Sequence, residues 1–226
     1  PVSRYFDRIT RPEQLLQALP KAMSVLTDPA DCGPVTLGLC QDVQAEAWDY
    51  PESFFTPRVW HMRRVMPDGG ELDRAMAALK AAKRPMIIAG GGVRYAGACA
   101  AVTALAEQAG IPVAATQAGK SSLVESHPMY VGSLGVTGAS AANNLAAKAD
   151  VVLSVGSRLQ DFTTGSNSLI GGQVVALNVQ AHDLVKHGAM PVMADALRGI
   201  EALTAGLAGH ATDKAYQAEI ADQWSG

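Results

Sequence analysis

Long apolar runs are missing from this sequence of 226 residues, and no stretch approaches the ~20 residues that a bilayer-crossing helix needs. Charge is scarce as well: 17% of residues are charged and the formal net charge is −3. Such a balance offers no basic face for nucleic acid or for an anionic membrane surface. Cysteine is limited to Cys32, Cys40 and Cys99, an odd set with no C-x-x-C spacing. Reduced, partly buried thiols in a cytoplasmic protein are the expectation, and no histidine is placed to make one of them a catalytic nucleophile. No signal-peptide pattern opens the chain. Neither G-x-S-x-G, H-E-x-x-H nor D-x-D occurs, which leaves nucleophile-elbow and metal chemistry without a motif. His182 and His187 stand five apart, a spacing that does not put both on one helix face, and His61 reads as a solvated arm residue. No metal site and no self-contained catalytic constellation are therefore expected within the chain.

What is present is a large apolar fraction, 48%, arranged in an α/β rhythm. The stretch 86–92, M-I-I-A-G-G-G, reads as a buried parallel strand running into a glycine turn and a crossover helix. It is expected to be the first and most central strand of a doubly wound sheet, whose ligands bind outside the carboxyl ends of the strands. Further strands are expected at 113–116, 130–134, 151–155, 174–178 and 191–193. Helices are expected at 72–83, 96–109, 139–149 and 194–207. The sum is a parallel sheet of about six strands with right-handed crossovers.

The flanks read differently. Thr10 and Glu13 suggest a capping box for a helix over 10–26, with Leu15, Leu16, Leu19, Met23 and Leu26 as its apolar face and Pro20 as a kink. A short strand follows at 35–39. One helix and one strand cannot close a core, so their partners are expected before Pro1. Residues 51–70, with Pro51, Pro57 and Pro67 among Phe54, Phe55 and Trp60, read as a connecting arm. Residues 208–226 read as a helical link leaving the domain. The opening Pro1-Val2 and the closing Trp224-Ser225-Gly226 suggest a piece of a longer polypeptide.

The glycine loops are the candidate binding residues. Gly90, Gly91 and Gly92 follow the central strand, Gly135 and Gly138 precede a helix, and Gly156, Ser157 and Arg158 follow the strand at 151–155. Backbone N–H groups at a helix start and a fork-shaped guanidinium suit a phosphate. The dinucleotide fingerprint is incomplete: Tyr95 stands where its third glycine belongs, and no acidic residue lies near Gln117 to hold a ribose. Gly119-Lys120-Ser121 lacks the earlier glycine of a phosphate-binding P-loop. From spacing alone the preferred reading is that these glycines permit tight strand-to-helix turns, with Arg158 and Asp161 paired structurally.

Longer phrases resemble a known family. These are S-R-Y-F-D-R-I-T-R-P-E-Q-L-L (3–16), G-P-V-T-L-G-L-C-Q-D-V-Q-A-E-A (33–47), R-P-M-I-I-A-G-G-G-V (84–93), T-Q-A-G-K (116–120), G-V-T-G-A-S-A-A-N-N-L-A (135–146) and V-G-S-R-L-Q-D-F-T-T-G-S (155–166). They resemble the acetolactate-synthase-like branch of thiamine-diphosphate enzymes. With L-N-V-Q-A-H-D-L-V-K-H (177–187), they are most similar to its ring-opening hydrolases of myo-inositol breakdown. The resemblance implies three domains: residues 1–50 would end the pyrimidine-binding domain, 51–70 be the arm, 71–207 the central Rossmann-like domain and 208–226 the link to a diphosphate-binding domain. It implies thiamine diphosphate and Mg2+ in the parent enzyme, a small cyclic diketone as substrate, and a homo-oligomer. The activating glutamate would precede Pro1, and the G-D-G motif that holds the diphosphate through Mg2+ occurs nowhere here, so the chain alone is expected to be non-catalytic. In flavin-carrying relatives the central domain holds FAD on loops matching Gly90, Gly91, Gly92, Gly135, Gly138, Gly156, Ser157 and Arg158. Those relatives read Gly-Ala-Arg-Phe-Asp-Asp-Arg where this chain has Gln160 and Phe162, and carry a His where it has Thr137. Cys40 stands where the family often has Pro. FAD is therefore not expected, and the pocket would be vestigial. The alternatives are an FAD-carrying carboligase of the same branch and a free-standing nucleotide-binding module.

Overall fold

The computed structural model describes residues 2–224; Pro1, Ser225 and Gly226, the ends of the expected 1–50 and 208–226 segments, lie outside the described residues. The chain divides into two compact units, one up to Arg64 and one from Val65 onward.

The first unit contains a strand that the apolar pattern does not announce. β1 (Tyr5–Ile9) pairs in parallel with β2 (Val35–Leu39), Tyr5 opposite Val35 and Ile9 opposite Leu39. Between them a 3-10 turn (Pro12–Gln14) leads into α1 (Leu15–Leu26). The expected Thr10–Glu13 capping box does not form. Gln14 serves instead, its Oε1 accepting the N–H of Thr10 at 2.6 Å and of Arg11 at 3.0 Å. The expected apolar face of α1 is also displaced. Ala18 and Ala22 are buried while Leu19 and Leu26 are exposed, and the core is only Ile9, Ala18 and Val43 with Leu15, Leu37 and Cys40 against it. Small side chains let the helix approach a surface only two strands wide. Pro20 sits within a continuous helix that it does not end. Phe6, on the opposite sheet face, is 64% exposed. In the arm, Trp48, Tyr50, Phe54 and Phe55 form a chain of ring contacts, and the Tyr50 hydroxyl donates to the Pro12 carbonyl at 2.8 Å. His61 is exposed.

The second unit is the expected sheet. Its strands are β3 (Pro85–Ala89), β4 (Val113–Ala115), β5 (Tyr130–Ser133), β6 (Val151–Val155), β7 (Gln173–Asn178) and β8 (Met190–Met193). They lie in the order β5-β4-β3-β6-β7-β8, all parallel. This is the doubly wound dinucleotide-fold order, with the direction of winding reversed between β3 and β6. Alternate residues feed two cores. Ile87, Leu153, Val155, Val175 and Leu177 face one side and pack with α2 (Gly69–Ala81), α4 (Cys99–Ala109) and α8 (Ala196–Gly206). Met86, Ile88, Val152, Val174 and Ala176 face the other, with α5 (Ser140–Lys148) and α9 (Lys214–Trp224). Burial on both faces is what makes these strands read as unbroken apolar runs.

Three boundaries differ from expectation for local reasons. Asp68 caps α2, its carboxylate accepting the Glu71 N–H at 3.0 Å, so the helix starts at Gly69 rather than 72. The helix expected at 96–109 starts only at Cys99, as α4, because Gly97 adopts φ +67, and a separate short helix, α3 (Gly91–Tyr95), precedes that break. Short helices α6 (Asp161–Thr164) and α7 (Ala181–Leu184) occupy loops after β6 and β7. Residues 208–224 do contain a helix, and it packs on the unit: Tyr216 and Ile220 of α9 belong to the second core. No helix of the described residues is long and apolar enough to cross a membrane.

Candidate functional site

The loops at the carboxyl edge hold every candidate residue, and the sheet order brings two of them together at the reversal of winding. The N–H of Gly90 donates to the Val155 carbonyl at 2.8 Å, and that of Gly92 to the Gly156 carbonyl at 2.9 Å. A side chain at Gly90 would run into the carbonyl of Gly156. A Cβ at Gly92 would lie 2.7 Å from the Gly156 Cα, and one at Gly156 only 2.5 Å from the Gly92 Cα. Gly156 also needs φ +58. Gly90, Gly92 and Gly156 are thus glycine because two backbones touch here. Gly91 is under less constraint, the nearest atom to its Cβ being the Ala118 Cβ at 3.2 Å, with the Ala118 carbonyl oxygen and the Tyr95 ring each at 3.5 Å.

Gly135 serves a neighbouring contact, while Gly138 closes its own loop, its N–H donating to the Gly135 carbonyl at 2.9 Å. Gly135 has φ +138, a Cβ on it would stand 2.7 Å from the Phe162 carbonyl oxygen, and the next N–H, of Val136, donates to that oxygen at 3.0 Å. Asn143, one turn into α5, pins this loop with both ends of its amide: Oδ1 accepts the Gly135 N–H at 3.1 Å and Nδ2 donates to the Gly135 carbonyl at 2.9 Å. Spacing alone did not single out Asn143. The start of α5 carries no side-chain cap.

Ser157 and Arg158 belong to a turn fixed from three sides. The Ser157 hydroxyl accepts the Leu159 N–H at 3.1 Å, and its carbonyl accepts from Asn178 Nδ2 at 3.0 Å. The Arg158 carbonyl accepts from Lys186 Nζ at 3.1 Å, and the Leu159 carbonyl from His187 Nε2 at 3.1 Å. Lys186 is itself paired with the buried Asp183 at 2.5 Å. Leu159 is buried at φ +42, a conformation that costs a branched residue on the order of 1–3 kcal/mol and persists only where surroundings over-determine it. The exposed guanidinium of Arg158 points from this turn without the expected structural pairing: among the described residues no ion pair joins it to Asp161, which opens α6. Asn178, Lys186 and His187, which lie in the phrase 177–187 but are given no role by the sequence, are the residues that hold it.

The tips of the β3 and β6 turns meet, and the Ser157 hydroxyl accepts a hydrogen bond from its own turn. Among the described residues no three His, Cys, Asp or Glu side chains converge.

The fold and this glycine-lined edge define a class. Residues 72–203, more than half of the chain, match the model of the thiamine pyrophosphate enzyme central domain, and the chain belongs to that family. Among curated proteins it is 45% identical over 222 residues to a 3D-(3,5/4)-trihydroxycyclohexane-1,2-dione hydrolase of Geobacillus thermodenitrificans, covering 98% of this chain and 34% of that protein. It is 46% identical over 224 residues to the protein of the same name in Bacillus cereus strain AH820, at 98% and 35% coverage. The chain therefore spans about a third of the length of the curated relatives it matches.

Proposed function

We propose that this chain is the middle part of a thiamine-diphosphate-dependent hydrolase that cleaves a carbon–carbon bond of 3D-(3,5/4)-trihydroxycyclohexane-1,2-dione, opening its ring in myo-inositol breakdown. The observation that carries the reading is identity of 45–46% over 98% of the chain, spread through both units and not confined to the central domain. Bound thiamine diphosphate would supply the electron sink for breaking that bond. Its pyrimidine and Mg2+-diphosphate contacts would come from parts of the polypeptide outside residues 1–226, and the role of this part is to join and space them. Residues 1–50 would complete a pyrimidine-binding domain. A lone pair of parallel strands with Phe6 in solvent and two open edges is below what a parallel sheet needs to stand by itself, which supports that reading. Residues 51–70 would be the arm and 71–207 the central domain. Residues 208–226 would lead to a third. The parent would be a cytoplasmic homo-oligomer.

FAD has no part in this proposal. The meeting turns after β3 and β6, with Gln160 and Phe162 further along the same segment after β6, support a flavin-type scaffold that carries no flavin. The test is the full-length polypeptide with thiamine diphosphate, Mg2+ and the cyclic dione. Ring-opened product from colourless enzyme is expected, and no heat when residues 1–226 alone are titrated with thiamine diphosphate and Mg2+. A flavin absorption spectrum with acetolactate formation would instead make the parent a carboligase. Stoichiometric cofactor binding by residues 1–226 would overturn the domain division.

A further inference from the structure

The large apolar side chains left exposed by the second unit are unevenly placed. Beyond Met66 they are Tyr95, Val124, Val136, Phe162, Val185 and Met193 among the described residues. Val124 lies midway along the descent from β4 to β5. The other five stand at the carboxyl edge. Tyr95, 90% exposed, closes α3 just after β3, and Val136 follows β5. Phe162, 53% exposed, lies in α6 after β6, Val185 precedes the lysine that reaches the Arg158 carbonyl, and Met193 ends β8. Every strand but β4 thus leads into a large apolar group offered to solvent on the same edge. The Val136 N–H donating to the Phe162 carbonyl makes two of these neighbours. Exposed cations, Arg94, Lys120 and Arg158, stand among them.

The chain also enters and leaves the unit on that edge. The Val65 carbonyl accepts the N–H of Asp195, two residues past the end of β8, at 2.9 Å. At the other end, the Tyr216 hydroxyl of α9 donates to the Pro85 carbonyl at the amino start of β3. Glu219 then meets Arg84 and Lys148, and Gln223 Oε1 meets Asn144 Nδ2 halfway along α5, which itself begins at the carboxyl edge. So α9 runs antiparallel to α5 and rises toward that edge. Its eleven residues climb about 16 Å, the height of a five-residue strand.

We propose that the carboxyl edge of this sheet is the seat of the segment that follows residue 226 in the longer polypeptide. It is an interdomain surface, apolar across its middle, with charges of both signs around it (Arg94, Lys120, Arg158 and Asp161), and the covering surface is apolar. The proposal rests on the reading of the chain as part of a longer enzyme. It adds which face the next domain covers. Exposed apolar groups gathered on one face mark an interaction surface, whereas scattered ones need no partner. Here the entry point, the rise of α9 and the apolar groups agree on one edge.

The experiment uses the full-length enzyme. Hydroxyl-radical footprinting should label Tyr95, Phe162 and Met193 several-fold more slowly than in the urea-unfolded protein, as covered side chains. An amine-reactive cross-linker on Lys120 should reach residues beyond 226, in the same or a partner subunit. Phe162→Glu should lower turnover and the thermal midpoint of the full-length enzyme, while Lys80→Glu, on the exposed end of α2 at the opposite edge, should leave both unchanged. Free labelling of Tyr95 and Phe162 would overturn the proposal. So would cross-links confined to residues 2–224 of a second copy, which would make the edge a subunit contact, or protection that dialysis removes, which would make it a small-molecule site. A gene that ends shortly after residue 226 would defeat the longer-enzyme reading itself, and that outcome is read from DNA independently of any labelling.

Discussion

Gly92 and Gly156 are joined by a hydrogen bond from the N–H of the first to the carbonyl of the second, 2.9 Å long, across the point where the sheet's winding reverses. The contact leaves no room for a methyl group on either partner, and what a methyl would strike is backbone on both sides. Gly156→Ala should destabilise the second unit by on the order of 3 kcal/mol, because overpacking adds to the strain of a left-handed φ. Gly92→Ala should cost a similar amount from overpacking alone. Gly91→Ala, whose nearest contact would be another side-chain methyl at 3.2 Å with the rest at ordinary contact distance of 3.5 Å, should stay within about 1 kcal/mol. Urea unfolding followed by far-ultraviolet circular dichroism separates the three. Equal costs at all three positions would mean that the glycines serve flexibility rather than contact.

Leu159 sets two effects against each other. Its φ of +42 is strained, so glycine there should relieve on the order of 1 kcal/mol, but its side chain is buried and truncation typically costs about 2–5 kcal/mol. Burial wins on those magnitudes, and Leu159→Gly should be less stable than the parent. His187→Ala acts on the turn without touching that core contact. It removes the donor to the Leu159 carbonyl and should raise amide exchange over residues 157–160, with a global cost of about 1 kcal/mol. Unchanged exchange in His187→Ala would show that Asn178 and Lys186 suffice to hold the turn.

The central sheet was legible because burial on both faces writes a strand as an uninterrupted apolar run, as in residues 86–89 and 151–155. The strand at Tyr5–Ile9 was not, since Asp7 stands on the side of a core of three residues and Phe6 on the open side, which breaks the apolar alternation. The candidate loops were found from their glycines, yet what those glycines do depends on which loop each one meets, and spacing along the chain carries no such information. The same limit hid Asn143, Asn178, Lys186 and His187. Each acts by donating a side-chain hydrogen to backbone distant in sequence, up to 28 residues away for His187. The closing helix was visible at 208–226, but its docking depends on Pro85 and Arg84, more than a hundred residues earlier.

Tyr216 fastens that helix. Its ring is buried in the second core and its hydroxyl donates to the Pro85 carbonyl at 3.0 Å, with the Arg84 guanidinium 5.1 Å above the ring centroid. Tyr216→Phe keeps the ring and leaves a buried carbonyl without its donor, a loss of about 1–2 kcal/mol. Tyr216→Ala empties the site and should cost about 3–5 kcal/mol. Burial pushes the phenol's pKa far up, so its ionisation should not be seen below strong alkali. Amide exchange of residues 213–224 is the direct readout. If Tyr216→Ala left that exchange unchanged, the helix would be held by Glu219 and Ile220 instead.

Glu219 gives the same docking a dependence on pH. Its hydrogen bond with Arg84, 2.5 Å long, is the main cause of a carboxyl pKa below the ordinary value of 4.5, with Lys148 adding to it at 3.7 Å. A carboxylate whose pKa is lower in the folded chain favours folding wherever it is ionised in both states. That contribution is therefore complete above the unfolded value and fades as pH falls through the folded one. Arg84, its pKa raised by the same bond, stays charged throughout and adds no titration of its own. At neutral pH, Glu219→Gln should unfold at a lower temperature than the parent, and the gap should close as the buffer is taken below about pH 4. Thermal midpoints of both proteins across that range measure it. A gap that survived unchanged in acid would show that the bond's geometry, which glutamine also satisfies in part, outweighs the charge.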